Sequence, residues 1–270
     1  MSDFDRNVAT ARYGRPLTRA EAAVVDAGLR VYMLRIYNYM VIGLAITGFA
    51  ALGAYMLSVT TDPAAAVRGA TGALGLRAGL YLTPIGYALF VSPLKWLIIL
   101  APLGLVFFLS FRVQTMAPTS AQITFWIYAA LVGISLGVLF LVYTHTSIVR
   151  VFFITAASFG ALSLWGYTTQ RDLSAMGSFL IMGLFGIIIA SLVNIFLGST
   201  ALQFVISVIG VLIFAGLTAW DTQRLKSEYI YGAMEGDVLE RSAIMGALSL
   251  YLDFLNLFTF LLQLLGAREE

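Results

Sequence analysis

Between Leu173 and Trp220 the chain reads LSAMGSFLIMGLFGIIIASLVNIFLGSTALQFVISVIGVLIFAGLTAW, without one charged residue. As a single helix this stretch would be roughly 70 Å long at about 1.5 Å per residue, against a bilayer hydrocarbon core of about 30 Å. It therefore predicts two spans. Gly198-Ser199-Thr200 is the break, because glycine beside short polar residues punctuates a helix. The two spans are Gly177 to Leu197 and Ala201 to Trp220.

Working outward, further apolar runs of spanning length are Ile36 to Ser58, Lys95 to Phe111, Ile123 to Tyr143, Val151 to Tyr167 and Gly246 to Leu265. Composition agrees. Hydrophobic residues make up 60% of the 270 and charged residues 11%, too few charges to cover a soluble globule of this size. The expected fold is an all-α integral membrane protein with seven transmembrane helices. Residues 1–35 read as a hydrophilic N-terminal tail, 36–266 as the transmembrane domain and 267–270 as a short C-terminal tail. The stretch from Ala78 to Leu94 is apolar but carries Pro84 and Pro93, so it reads as a re-entrant or interfacial piece rather than a span. Asp62 to Gly79, rich in Gly and Ala, reads as a loop.

No apolar run lies near Met1, so no cleavable secretory signal is expected. With the N-terminus inside, the inner segments hold eleven of the sixteen Lys and Arg. The positive-inside rule then puts the N-terminus in the cytosol and the C-terminus outside. Gly133 and Gly137 form a GxxxG pair, and Gly183, Gly186, Ala190 and Asn194 share one side of a span. Both read as helix-packing faces.

The informative residue is a charge inside the membrane. Asp253 is the eighth residue of the last span, about 10 Å from its start. A carboxylate at the centre of a bilayer costs about 2.5–3.5 kcal/mol on insertion scales, so a partner, a proton or water must compensate it. Ser249, Asp253, Asn256 and Gln263 form a polar stripe on that helix. Asp221 follows the sixth span directly and Arg112 ends the second. In the favoured topology all three charges fall near the cytosolic surface. Bland readings stand beside this one: Arg112 as an interface anchor, Asp221 as a helix-end residue in headgroup water, Asp253 as a structural hydrogen bond to a neighbouring helix. If the aspartates meet, they cannot both ionise cheaply and will share one proton. Such a pair is a pH-dependent latch that needs no histidine.

Other chemistries are poorly served. The chain has no Cys and a single His, His145, so thiolate sites, multi-histidine metal sites and thiol nucleophiles are out. GISLG, Gly133 to Gly137, fits the nucleophile-elbow pattern, but that motif needs a strand–turn–helix context, and Ser135 reads as mid-span. His145 reads as an interface residue. No P-loop is present, and the last span has no lysine for a retinal. The chain is not expected to be an enzyme, to carry a resident cofactor or to bind nucleic acid.

Three segments resemble a known family. LYLDFLNLF (Leu250 to Phe258) resembles the last-helix signature of the transmembrane Bax-inhibitor-motif, or Bax inhibitor-1, family. FAGLTAWDTQRLK (Phe214 to Lys226) is similar to its sixth-helix motif, and GYTTQRDLS (Gly166 to Ser174) to its loop between the fourth and fifth helices. The resemblance, over about residues 30 to 266, is to bacterial-type members. It implies seven helices with the last central in the bundle, in a bacterial inner membrane. It implies a pH-sensitive calcium leak gated by the aspartates that match as Asp221 and Asp253, with Arg112 matching an arginine that contacts them. Asp221 and Asp253 would then bind the transported Ca²⁺ weakly and transiently, and Asn256, Asn194 and Ser249 would line its path. It also implies regulation of a membrane-anchored ATP-dependent protease as an alternative role, through the tail and the Arg224 to Ala243 loop.

The chain departs from the family pattern at several points. Trp220 stands where tyrosine is common. The Arg224 to Ala243 segment looks long and brings Glu228, Glu235, Asp237 and Glu240. The C-terminus lacks the basic cluster of animal members, and the second span has no acid.

Overall fold

In the computed structural model, which describes residues 19–69, 72–77, 79–232 and 235–269, the chain opens on α1 (Arg19–Ser58). After a small β region come the short α2 (Pro84–Phe90), then α3 (Leu94–Arg112) and α4 (Pro118–Leu136). A turn and the one-turn α5 (Leu139–Val142) lead to α6 (His145–Thr168) and α7 (Ser174–Leu197). The chain closes with α8 (Thr200–Gly232) and α9 (Gly236–Leu265). Among the described residues seven helices are long and apolar enough to cross a membrane. Large apolar side chains such as Phe111, Phe179 and Phe196 stand 70–89% exposed, which suits lipid and not water. The chain is an all-α integral membrane protein.

The break between α7 and α8 falls where glycine predicts it. Gly198 adopts φ +61°, the left-handed C-cap geometry, and its N–H reaches the Asn194 carbonyl. The prolines of the intervening region start elements instead of breaking them. Thr83 caps α2 by accepting from the Gly86 N–H at 3.0 Å, with Pro84 in the first turn, where a missing N–H costs nothing. Seven residues make a helix of about 10 Å, so Ala78 to Leu94 adds no eighth span. Ala78 itself lies outside the described residues.

Two readings of the sequence change. Residues 19–35 of the expected tail are helical and carry buried Leu29, Tyr32 and Met33; residues 1–18 of that tail lie outside the described set. The expected loop from Asp62 to Gly79 forms, with its flanking residues, short antiparallel strands. These are β1 (Val59–Thr60), β2 (Arg68–Gly69), β3 (Gly72–Ala73), β4 (Gly75–Arg77) and β5 (Leu80–Leu82), in a β1-β5-β4 sheet and a β2-β3 ribbon. Backbone groups outside helices still need partners, and here the strands supply them to one another. Ser135 lies inside the apolar span Pro118–Val142, and its hydroxyl donates to the Ile98 carbonyl oxygen at 2.7 Å.

The described chain divides into two compact units. One holds α1 up to Met40, α6 from Thr146, α7, α8 and α9; the other holds α1 from Val41, the β region, α2 to α5 and residues 267–269. In the second unit the GxxxG pair packs helices as expected. A Cβ at Gly133 would strike the backbone of Thr47 and the methyl of Ala50, and Gly137 abuts Ala54. Thr47, buried, donates to the Ala129 carbonyl across the same contact. His145 is exposed and lies 3.7 Å from Glu269.

In the first unit α9 is the most enclosed of the seven helices, with 44% of its most apolar window buried against 11–33% in the others. Three helices of the unit pack on it. Tyr32 of α1 bonds Ser242, Phe159 of α6 meets the Phe254 ring edge-on, and Gly210 of α8 lies under the Phe260 ring.

Candidate functional site: a buried aspartate pair

The site is built from α8 and α9. The sequence reading ends the sixth helix at Trp220, but α8 runs on to Gly232, about 18 Å further. Asp221 is therefore not a helix-end residue. It sits mid-helix, 7% exposed, among buried Thr218, Thr222, Gln223 and Leu225. Asp253 faces it from α9, 5% exposed. The two carboxyl groups lie close enough to interact, and a hydrogen bond between them would need a proton on one.

The counter-charge is Arg224, one turn on from Asp221. Its Nη2 lies 2.9 Å from Asp221 Oδ1, at ion-pair distance but off the line of a hydrogen bond, since Oδ1 lacks an aligned donor. The same Nη2 is 3.2 Å from Ser249 Oγ on α9, one turn before Asp253. The guanidinium carbon stands 5.0 Å over the Trp220 ring, and Nε is 3.9 Å from Glu228. With one proton on the pair, Arg224 makes the trio neutral, which a low dielectric favours. Losing that proton would set two like charges in contact. Asp253 Oδ2 has no hydrogen-bond partner among the described residues, an orphaned acceptor costing about 1–3 kcal/mol.

Other members of the WDTQRLK segment fasten α8 to α6 and to the turn before α7. Thr222 bonds Ser163, which in turn bonds Tyr37 of α1. Gln223 accepts from the Leu173 N–H and donates to the Arg171 carbonyl, both at 2.8 Å. Lys226, 2% exposed, donates to the Tyr167 carbonyl at 2.8 Å. Gly166 packs on the Ala219 backbone, and Gly177 under the Trp220 indole. The segments GYTTQRDLS and WDTQRLK therefore hold each other.

The residues singled out by sequence are partly gathered. Asp221, Asp253 and Ser249 come together through Arg224. Asn256 lies on α9 near Asp253, but its amide is spent on the Leu252 carbonyl of its own helix. Asn194 is elsewhere: it accepts from Ser199 N–H and donates to Gln203, closing the α7–α8 turn. Gln203 and Ser207 in turn bond Gln263, so the stripe on α9 divides into two polar centres. Arg112 ends α3 in the other unit with an exposed side chain, and the arginine paired with Asp221 is Arg224. Three residues apart on one helix is the spacing that would have found it, had the helix been carried past Trp220. Among the described residues no three of His, Cys, Asp and Glu gather as a metal site.

The chain matches the family described as inhibitor of apoptosis-promoting Bax1 over residues 29–270. This chain belongs to the Bax inhibitor-1 family. Relatives span nearly its whole length. Protein RP147 of Rickettsia prowazekii is 45% identical over 94% of this chain and 96% of its own. A Caulobacter vibrioides protein is 42% identical over the full length of both. Inner membrane protein YbhL of Escherichia coli is 42% identical over 90% of this chain and 94% of its own. Within this family member, all three sequence signatures converge on one place: the aspartate pair and the α6–α7 turn that Gln223 and Lys226 hold beside it.

Proposed function

We propose that this chain is a pH-sensitive leak for Ca²⁺ or other cations, gated by the Asp221–Asp253 pair. The observation that carries the reading is a pair of buried carboxyls facing each other between the most enclosed helix and its neighbour, with Arg224 as counter-charge. A proton shared there ties α8 to α9, and its loss replaces a bond by repulsion. Hard cations take oxygen ligands, usually six or more. Two carboxylates with Ser249 and Asn256 nearby fit weak, passing contact and not a tight site. The Lys and Arg distribution supports a cytosolic N-terminus, and the inner-membrane relative supports a bacterial inner membrane.

The test is Ca²⁺ flux in protein-only liposomes across roughly pH 6 to 8, the physiological range. A pH-dependent flux whose dependence disappears in Asp253→Asn supports the gate. No flux above empty liposomes at any pH overturns it. The second reading, binding and modulating a membrane-anchored ATP-dependent protease or another membrane partner, would then lead. It is favoured by exposed acids where α8 and α9 meet, at Glu228, Glu235 and Asp237.

A further inference from the structure

A cavity of about 610 Å³ opens between α1 and α6 within the first unit. Met33, Leu34 and Met40 line it from α1, and Phe159, Gly160 and Leu164 from α6. These walls are apolar from end to end, whereas both ends of the run are marked. Arg30, exposed, stands at one end, and Tyr167 faces it from α6. Tyr167 is the penultimate residue of α6, just before the turn in which Gln170, Arg171 and Asp172 are exposed. That end therefore lies at the water interface, where Tyr and Arg collect. Behind Tyr167 sits a second cation, Lys226, with Nζ 5.2 Å from the tyrosine ring centre. The other end, at Met40 and Phe159, is purely hydrocarbon.

We propose that this groove is a binding site for one acyl chain of an anionic phospholipid, its phosphate held at Arg30. Dimensions agree. From Arg30 to Met40 is ten residues, about 15 Å, which is half the ~30 Å hydrocarbon core and so the depth of one leaflet. The volume falls within the ~300–1,000 Å³ usual for ligand pockets. Charge complementarity selects the headgroup: a guanidinium matches a phosphate in geometry and charge, and a second cation lies just behind. Gly160 keeps the groove open, because nothing lies within 4 Å of where its Cβ would be. On the floor, Tyr37 and Ser163 satisfy each other and then Thr222, so the hydroxyls make no demand on an apolar occupant. The proposal stands independently of the transport reading.

The experiment uses the full chain in phosphatidylcholine nanodiscs doped with phosphatidylglycerol carrying a photoactivatable group on its acyl chain. Labelled peptides are mapped by mass spectrometry. Labelling concentrated on residues 30–40 and 159–167 is expected. Gly160→Phe, which projects a ring into the groove from a position where an added Cβ meets nothing, should abolish it. Arg30→Ala, at an exposed position, should lower it about fivefold, the equivalent of about 1 kcal/mol for one cation at an anionic surface. Uniform labelling along all lipid-facing helices overturns the site. Labelling that persists in Gly160→Phe overturns it too. Equal labelling by the phosphatidylcholine analogue, or by a photoactivatable free fatty acid in competition, overturns the phospholipid-headgroup assignment. Should Gly160→Phe fold poorly by circular dichroism, Arg30→Ala and the lipid comparison still decide.

Discussion

Arg224 reaches back one turn along α8 to place Nη2 2.9 Å from Asp221 Oδ1, and the same nitrogen lies 3.2 Å from Ser249 on α9. One guanidinium thus neutralises the aspartate pair and ties the helices that carry it. Arg224→Gln removes the charge and keeps much of the length. Breaking a buried pair costs about 3–5 kcal/mol, but Arg224 is more than a third exposed, so about 1–2 kcal/mol is expected after screening. Thermal unfolding in detergent measures that loss. On the proposed leak reading, the pH midpoint of flux in liposomes should move in Arg224→Gln.

Gly166 packs directly on the backbone of Ala219 with no room for a Cβ. Because the obstacle is main chain and not a flexible side-chain end, Gly166→Ala must push α6 away from α8. Overpacking of this kind costs about 1–3 kcal/mol. A control is Gly160→Ala on the same helix, where the added methyl meets nothing; it should be neutral or slightly stabilising, as Ala exceeds Gly in helix propensity by about 1 kcal/mol. Paired melting curves check both.

Gln223 is buried and spends its amide on two backbone groups of the α6–α7 turn, at Leu173 and Arg171. Gln223→Ala leaves both without that partner. The expected destabilisation is about 2–4 kcal/mol, from two groups at about 1–3 kcal/mol each with partial rescue by water. Hydrogen exchange should rise first at Leu173 and Ser174, before α8 opens.

Asp172 lies in the same turn and accepts from the Ser174 N–H at 2.9 Å, at the start of α7. The side-chain and backbone hydrogen bonds from Ser174 hold its carboxyl below the ordinary carboxylate range. A depressed value in the folded state stabilises above the unfolded pKa of about 3.9 and is lost as pH falls through the folded one. Asp172→Asn should therefore lower stability at neutral pH, by well under 1 kcal/mol because the group is largely exposed. The gap between variant and parent should close as pH falls through the depressed folded value and Asp172 protonates. Denaturation at a series of pH values tests the sign.

Much of the molecule is legible in the chain, and the reason is the solvent. In hydrocarbon every backbone polar group must be bonded within its own segment, so runs such as Leu173 to Trp220 can only be helices, and Gly198 can only be the turn. The cost of a charge in that medium also makes Asp253 conspicuous from its position in an apolar run. What hydropathy does not mark is where an apolar helix continues as a polar one. Beyond Trp220 the residues are charged, yet α8 goes on for three more turns, because Gln223, Arg224 and Lys226 find partners inside the protein. That continuation turns Asp221 from a surface residue into a buried one and supplies Arg224 as its counter-ion.

By itself, then, the sequence determined the class of fold, the family and the two aspartates, since each follows from composition, span length or a local motif. Only the tertiary structure decided that Asp221 and Asp253 face each other in the interior, that Arg224 is the ion partner, and that Asn194 belongs to a turn. Those outcomes depend on which faces of separate helices meet, and a pattern read along one chain does not contain the rotation of one helix against another.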